Sequence, residues 1–376
     1  MFTVKNLSAL SLLRRVAFSV VAIALLSLPA TAQLFSVTWQ VSDIPNVGSQ
    51  PTDPDLVNPW GIAASSGSPW WVSDNATGKL TLYDGTGAKQ GLVVNVPKWD
   101  GSSGGNPTGQ IFNATQDFQL GNGKPAVFIV STEDGTIQGW NGGTTTEIKV
   151  NNWPNAIYKG LAMGSADGAN YIYAANFHEG TVDVFDGTFA PHSFGGGAFL
   201  DPNLPSGYAP FNVANVNGNI IVAYALQDDD KEDDVAGLGH GYIDVYSSKG
   251  ELMQRLPHVF QLNSPWAMVV APATGWGNFS GKLLVGQFGS GAIIAYDLSN
   301  GTFFGTMQDD AGLPLRINGL WGLGFGNGAK SGPTNTLYFA AGYFAEAHGL
   351  FGTITVANNV LSQTQRNNHQ TQNKGK

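Results

Sequence analysis

Two short stretches of this chain hold the residues best equipped for chemistry. The first, Asp228-Asp229-Asp230-Lys231-Glu232-Asp233-Asp234, sets six carboxylates in seven positions, and each close pair repels by about 1 kcal/mol even in water. A hard cation relieves that repulsion, and Ca²⁺ takes about 6 to 8 oxygen ligands. Asp228, Asp230, Glu232 and Asp234 present alternate oxygens and are the candidate metal ligands. The stretch lacks Gly at the sixth place and Glu at the twelfth, so it is not an EF-hand. A solvated acidic loop is the competing reading. The second stretch is Asn176-Phe177-His178-Glu179-Gly180. An imidazole titrates near neutrality, which makes His178 the candidate general base, proton shuttle or ligand hydrogen-bonder. A surface-turn histidine without a role is the alternative.

The elements that must position these residues come from an internal repeat. Trp70-Trp71-Val72-Ser73-Asp74-Asn75 followed by Gly78-Lys79-Leu80-Thr81-Leu82-Tyr83-Asp84 is matched by Tyr171-Ile172-Tyr173-Ala174-Ala175-Asn176 followed by Gly180-Thr181-Val182-Asp183-Val184-Phe185-Asp186. Six units share this pattern, and Gly61, Gly109, Gly160, Asn212, Ala267 and Gly322 mark one phase of it at spacings of 48 to 55 residues. That period suits a four-stranded propeller blade with its loops. Each unit reads as an inner strand, an apolar second strand, a Gly-led third strand and a weaker outer strand. The sixth unit offers three strands, and Val37-Thr38-Trp39-Gln40-Val41 is the expected fourth, which would pair the two ends of the chain and remove an open sheet edge. The fold class is therefore all-β, a six-bladed propeller with four-stranded blades.

In such a ring the loops between second and third strands share one face. They carry Asn75, Asn176, His178, Gln287 and His348, the candidate ligand-binding residues, and the acidic stretch. Asp, Asn and Gly also serve tight turns, so each position has a conformational reading beside the functional one. Trp60, Trp266 and Trp321 share one phase of the repeat, which points to packing rather than to a sugar-stacking platform.

The chain has 376 residues with 42% apolar and 12% charged side chains, 50 Gly and no Cys. That composition suits many short strands and a sizeable core held without disulfides. Lys5, Arg14 and Arg15 precede the apolar run Val16 to Leu28, then Pro29 and Ala30-Thr31-Ala32. This order reads as a signal peptide over 1–32, cut before Gln33. Residues 33–361 are then the propeller and 362–376 a disordered polar tail. Losing the three basic residues takes the formal charge from −9 to about −12, which speaks against nucleic acid or an anionic membrane as partner. The expected protein is a secreted monomer, periplasmic or extracellular, meeting a small molecule, glycan or envelope protein.

No His-Glu-x-x-His, phosphate loop or cysteine nucleophile occurs. The motifs Asn58-Pro59-Trp60-Gly61-Ile62, Trp71-Val72-Ser73-Asp74-Asn75, Ala174-Ala175-Asn176-Phe177-His178, and Gln227 to Gly241 followed by Ile243-Asp244-Val245-Tyr246 resemble a family of uncharacterised secreted bacterial propeller proteins. More distantly the blades resemble NHL-type and gluconolactonase-like propellers. That resemblance implies Ca²⁺ near the central axis, held by scattered carboxylates and amides. Two functions follow as expectations. One is a secreted propeller binding an extracellular or envelope ligand, with Ca²⁺ in the acidic loop. The other is a Ca²⁺-dependent hydrolase or lyase of lactones, esters or glycans, with His178 as acid and base.

Overall fold

The structure, a computed structural model, describes residues 33–357. The expected signal peptide over 1–32 and the tail over 362–376 lie outside the described residues.

Alternating apolar residues, broken by Gly, Asn and Asp turns, form six antiparallel sheets. Blade one comprises Pro59–Ala63, Trp70–Asp74, Lys79–Tyr83 and Val94–Asn95. Blades two to five begin with the inner strands Pro107–Phe112, Tyr158–Ala166, Tyr208–Val216 and Pro265–Val270, and each adds three more strands outward. Blade six holds Leu320–Phe325, Leu337–Tyr343 and His348–Val356. The strand Leu34–Ser42 runs antiparallel to His348–Val356, with Val37 opposite Ile354, and the short strand Gln308–Asp309 pairs beyond it. Turn chemistry repeats with the blades. Asp84 and Asp186 each accept the backbone N–H groups two and four residues onward through one carboxylate oxygen, the local bond that favours Asp at turns.

Each blade packs on the next through its own apolar layer. Trp71 stacks on Phe128 across blades one and two at 4.3 Å between ring centroids. Ile129 and Ile137 meet Tyr158 and Ile172 across blades two and three. Tyr83 meets Phe351 across blades one and six.

Around the axis the six inner strands stand side by side. All six are bulged at the same level, where the register to the second strand slips, as between Pro59 and Ile62 or Pro265 and Met268. The marker phase of the repeat sits at this level, and at Gly61 and Gly109 it must be glycine. A Cβ on Gly61 would lie 2.5 Å from the Thr108 carbonyl oxygen, and one on Gly109 would lie 2.5 Å from the Leu161 nitrogen. Bulges bend strands and free backbone groups from the ladder.

Candidate functional site at the polar rim

The residue before each small marker closes the axis. These are Trp60, Thr108, Lys159, Phe211, Trp266 and Trp321. Trp60 stacks on Trp321 at 3.5 Å, Trp321 on Phe288 at 3.9 Å, and Trp266 meets Trp60 edge-on at 6.1 Å. The Trp266 indole Nε1 donates to the Lys159 carbonyl (3.0 Å), and the Thr108 hydroxyl donates to the Tyr158 carbonyl (2.6 Å). Packing is the role of the three phased tryptophans, and the layer they form crosses the axis.

Lys159 is the one charged member of this layer. Its side chain is 2% exposed, with Nζ over the rings of Trp60 (5.2 Å) and Phe177 (5.9 Å). Nζ donates to Glu133 Oε1 from blade two and to Asp233 Oδ1 (3.1 Å) from blade four. Burial opposes the ammonium charge, but the two carboxylates outweigh it and hold the pKa above the ordinary lysine value. The amine stays protonated, so it is an electrostatic anchor and not a base.

Further carboxyls gather round it. Glu133 Oε2 accepts from Asn75 Nδ2 at 2.8 Å, and Asn75 Oδ1 faces Asn58 Nδ2 at 3.4 Å. Burial pushes the Glu346 carboxyl up; the Asn58 amide opposes this, Glu133 reinforces it, and Lys159 opposes it. Burial likewise raises Asp234, against the Ser264 hydroxyl and Lys159. Of the ten buried side-chain N or O atoms among the described residues that lack a close hydrogen-bond partner, six belong to Asn58, Trp60, His178, Asp234, Ser264 and Trp321, and of these the Asp234 carboxyl and the Ser264 hydroxyl face each other. These six lie on the loops and strand starts that converge at this end of the axis.

The structure distributes the expected site residues unevenly. Asn75 and Asp234 join the Lys159 cluster, and His178 flanks it beside Phe177, with its Nδ1 unpartnered. Asn176 is consumed by its own turn. Its Oδ1 accepts from the Ile157 and Glu179 N–H groups, and its Nδ2 donates to Asp183 at 3.0 Å. Gln287 is fully buried, accepting from the Asn263 N–H (2.8 Å) and donating to the Val285 carbonyl (3.1 Å). His348 Nδ1 lies 2.7 Å from Asp43 Oδ2, and Asp43 Oδ1 also accepts the Gly349 N–H. That pair ties the end of the first described strand to the last hairpin.

The four alternate acids do not meet. Asp228 Oδ1 takes the Glu232 N–H at 2.9 Å, Asp230 and Glu232 are exposed at the loop tip, and Asp234 turns inward. Among the described residues no three His, Asp or Glu side chains converge as a metal-ligand set. The side chains therefore do not fit a Ca²⁺ site in this arrangement, and Lys159 supplies the positive charge in the acidic surroundings. Gly101-Ser102-Ser103-Gly104-Gly105 spells the Gly-x-Ser-x-Gly of a hydrolase elbow. It lies in the loop leading to blade two, with both serines exposed and without the strand-to-helix turn such a nucleophile needs.

Asp233 lies in the acidic stretch, whereas Lys159 and Glu133 carry no motif. One signal was available: Lys159 is the only charged residue in the phase otherwise held by Trp, Thr and Phe.

No family model matches the chain. An uncharacterised protein of Acanthamoeba polyphaga mimivirus is 31% identical over 333 residues, covering 85% of this chain and 80% of that protein. A second uncharacterised protein of the same virus is 30% identical over 335 residues, covering 84% and 86%. The chain thus has viral relatives where a bacterial family was expected. Among solved structures, a glucose dehydrogenase aligns with a TM-score of 0.49 at 13% identity, covering 81% of this chain and 98% of that one. A streptogramin B lyase aligns with a TM-score of 0.46 at 12% identity, covering 81% and 95%.

Proposed function

This chain belongs to the same family as the two uncharacterised mimivirus proteins, and from the geometry of its polar rim we propose that it is a ligand-binding propeller. It acts outside the cytoplasm, as a monomer, on a small polyhydroxylated molecule such as a sugar or sugar lactone. The observation that carries this reading is the set of carboxyls, Glu133, Asp233, Asp234 and Glu346, gathered round the buried Lys159 ammonium, with Glu133 and Asp233 reaching solvent. Carboxylates of Glu133 and Asp233 accept from hydroxyls, and the Lys159 ammonium between them holds both carboxylates in place. A polyol offers both donors and acceptors on every carbon, which is what a mixed set of this kind requires. Asp233, with its side chain 78% exposed, is the member in direct reach of solvent.

The test is calorimetric titration of the secreted protein, its start at Gln33 read by N-terminal sequencing, with a panel of monosaccharides, oligosaccharides and sugar lactones. At least one binds the wild type and binds about tenfold more weakly to Asp233→Asn and to Glu346→Gln, the loss of one or two hydrogen bonds to charged groups. Binding of none, or undiminished binding to both variants, overturns the proposal.

One observation favours a second reading, a hydrolase or lyase of lactones, esters or glycans. Glu346 and Asp234 have raised pKa values beside a cation that stays charged, and a carboxyl tuned upward suits general acid or base work. Turnover in the same panel, abolished in Glu346→Gln with binding kept, would establish it.

A further inference from the structure

Trp99 and Trp153 form a stacked pair on the surface rather than in a packing layer. Trp99 lies in the loop from blade one to blade two and is 39% exposed; Trp153 lies in the loop from blade two to blade three and is 46% exposed. An indole is mostly buried in folded proteins, yet these two lean on each other in solvent, with ring centroids 5.4 Å apart and planes 7° from parallel. One side chain fixes both. Asn151, the last residue of the outer strand Glu147–Asn151, donates through Nδ2 to the Trp99 carbonyl (2.8 Å), and its Oδ1 accepts the Trp153 N–H (3.2 Å). The pair is held before anything meets it, which lowers the ordering cost of binding.

A single turn joins the pair to the polar rim. Glu133, which accepts from Lys159, opens the turn Glu133-Asp134-Gly135. The Glu133 N–H bonds to the Asn106 carbonyl (3.0 Å) and Asp134 Oδ2 accepts the Asn106 N–H (2.9 Å), at the end of the loop that holds Trp99. The Gly135 carbonyl accepts the Asn152 N–H (2.9 Å), next to Trp153. Lys159, the turn and the pair therefore follow one another outward over blade two. The outer strand of the blade stands three strand spacings from the inner one, roughly 14 Å at about 4.8 Å each.

We propose that Trp99 and Trp153 are the distal platform of an oligosaccharide site whose first sugar sits at the Lys159 rim, an inference that rests on the reading of that rim as a polyol site. A pyranose has flat C–H faces between its hydroxyls, and an indole covers such a face while the hydroxyls stay in water. The distance from rim to pair exceeds one sugar ring and suits a short chain. The carboxylates of the rim and the net charge of −9 select a neutral glycan over an acidic one. An apolar surface two indoles wide, with exposed Lys98, Asp100 and Asn155 beside it in the chain, is well short of the roughly 800 Å² that each partner buries in a stable protein interface.

The test is calorimetric titration with cello-, xylo- and chito-oligosaccharides of one to six residues, against wild type, Trp99→Ala, Trp153→Ala and Asp233→Asn, each checked for folding by circular dichroism. In one series wild-type affinity rises about tenfold or more with length, from the shortest member that binds, the gain expected of one stacked ring. Trp99→Ala and Trp153→Ala each remove that rise and leave the shortest member's affinity unchanged; either variant carries the test if the other fails to fold. Asp233→Asn weakens every length alike. Affinity independent of length, or a rise that survives both tryptophan substitutions, overturns the platform and leaves the rim reading standing. A rise lost in the tryptophan variants but indifferent to Asp233→Asn overturns the joined site and the rim reading with it. Self-association of wild type, lost in either tryptophan variant and without a length effect, assigns the pair to a second copy and overturns the proposal, and binding of no member overturns both readings.

Discussion

Lys159 and Asp233 show how differently two ends of one ion pair can weigh. The ammonium is buried among aromatic rings, whereas the Asp233 side chain is 78% exposed and the Glu133 side chain 25% exposed. An exposed partner contributes little, about 0–1 kcal/mol, but a buried charge stripped of a partner is costly. Asp233→Asn should therefore lower stability by less than about 1 kcal/mol. Lys159→Met keeps the packing volume but leaves Glu133 and the neighbouring acids without their cation. It should cost about 1–3 kcal/mol, discounted from a fully buried pair because solvent reaches Glu133. Denaturant unfolding of both variants checks the order, and equal losses would contradict it. At this scale the sequence was a partial guide. Histidines and amides in turns drew the eye because their types are catalytic, yet Asn176 and Gln287 turned out to satisfy backbone groups. Lys159 was hidden because a single lysine next to glycine has no spacing to betray it. Its meaning appears only when six repeats are stacked and five of the matching positions are uncharged.

At the scale of the strand and the blade, small residues at the bulge do what larger ones cannot. Gly109→Ala would set a Cβ 2.5 Å from the Leu161 nitrogen and 2.9 Å from Gly160 backbone atoms, contacts with main chain that no rotamer relieves. The expected loss is about 1–3 kcal/mol, read as a lowered melting temperature. Gly67→Ala, with nothing within 4 Å of the added carbon, should stay within about 0.5 kcal/mol. The six-bladed architecture was readable because blade spacing, Gly-led third strands and apolar second strands recur in one chain, each occurrence reinforcing the others. The acidic loop was not, since its six carboxylates are equivalent on paper. Hairpin pairing decides that Asp234 turns inward, that the exposed Asp233 still reaches Lys159, and that Asp229, Asp230 and Glu232 face water only. In that hairpin the Asp228 N–H bonds to the Asp233 carbonyl (2.9 Å), and the Val235 N–H to the Leu226 carbonyl (2.8 Å).

For the whole molecule, the raised carboxyls couple folding to acidity. Burial lifts Asp234 and Glu346 above their unfolded values, so the folded state holds protons that the unfolded chain has released. The stability tied to these protons is fully present below the usual carboxylate range, near pH 4, and is lost as pH rises through the folded values. The double variant Asp234→Asn, Glu346→Gln is spared that loss. Its melting temperature, measured against wild type, should gain steadily from about pH 4 to about pH 7, and a gap that shrinks with rising pH would refute the coupling.

Trp60, Trp266 and Trp321, stacked over one another where the inner strands bulge, act as a cork in what would otherwise be a tube. A guest entering by either mouth leaves by the same one, so each end keeps its own traffic. The cork is also fastened on one side: the Trp266 indole N–H holds the backbone carbonyl of Lys159.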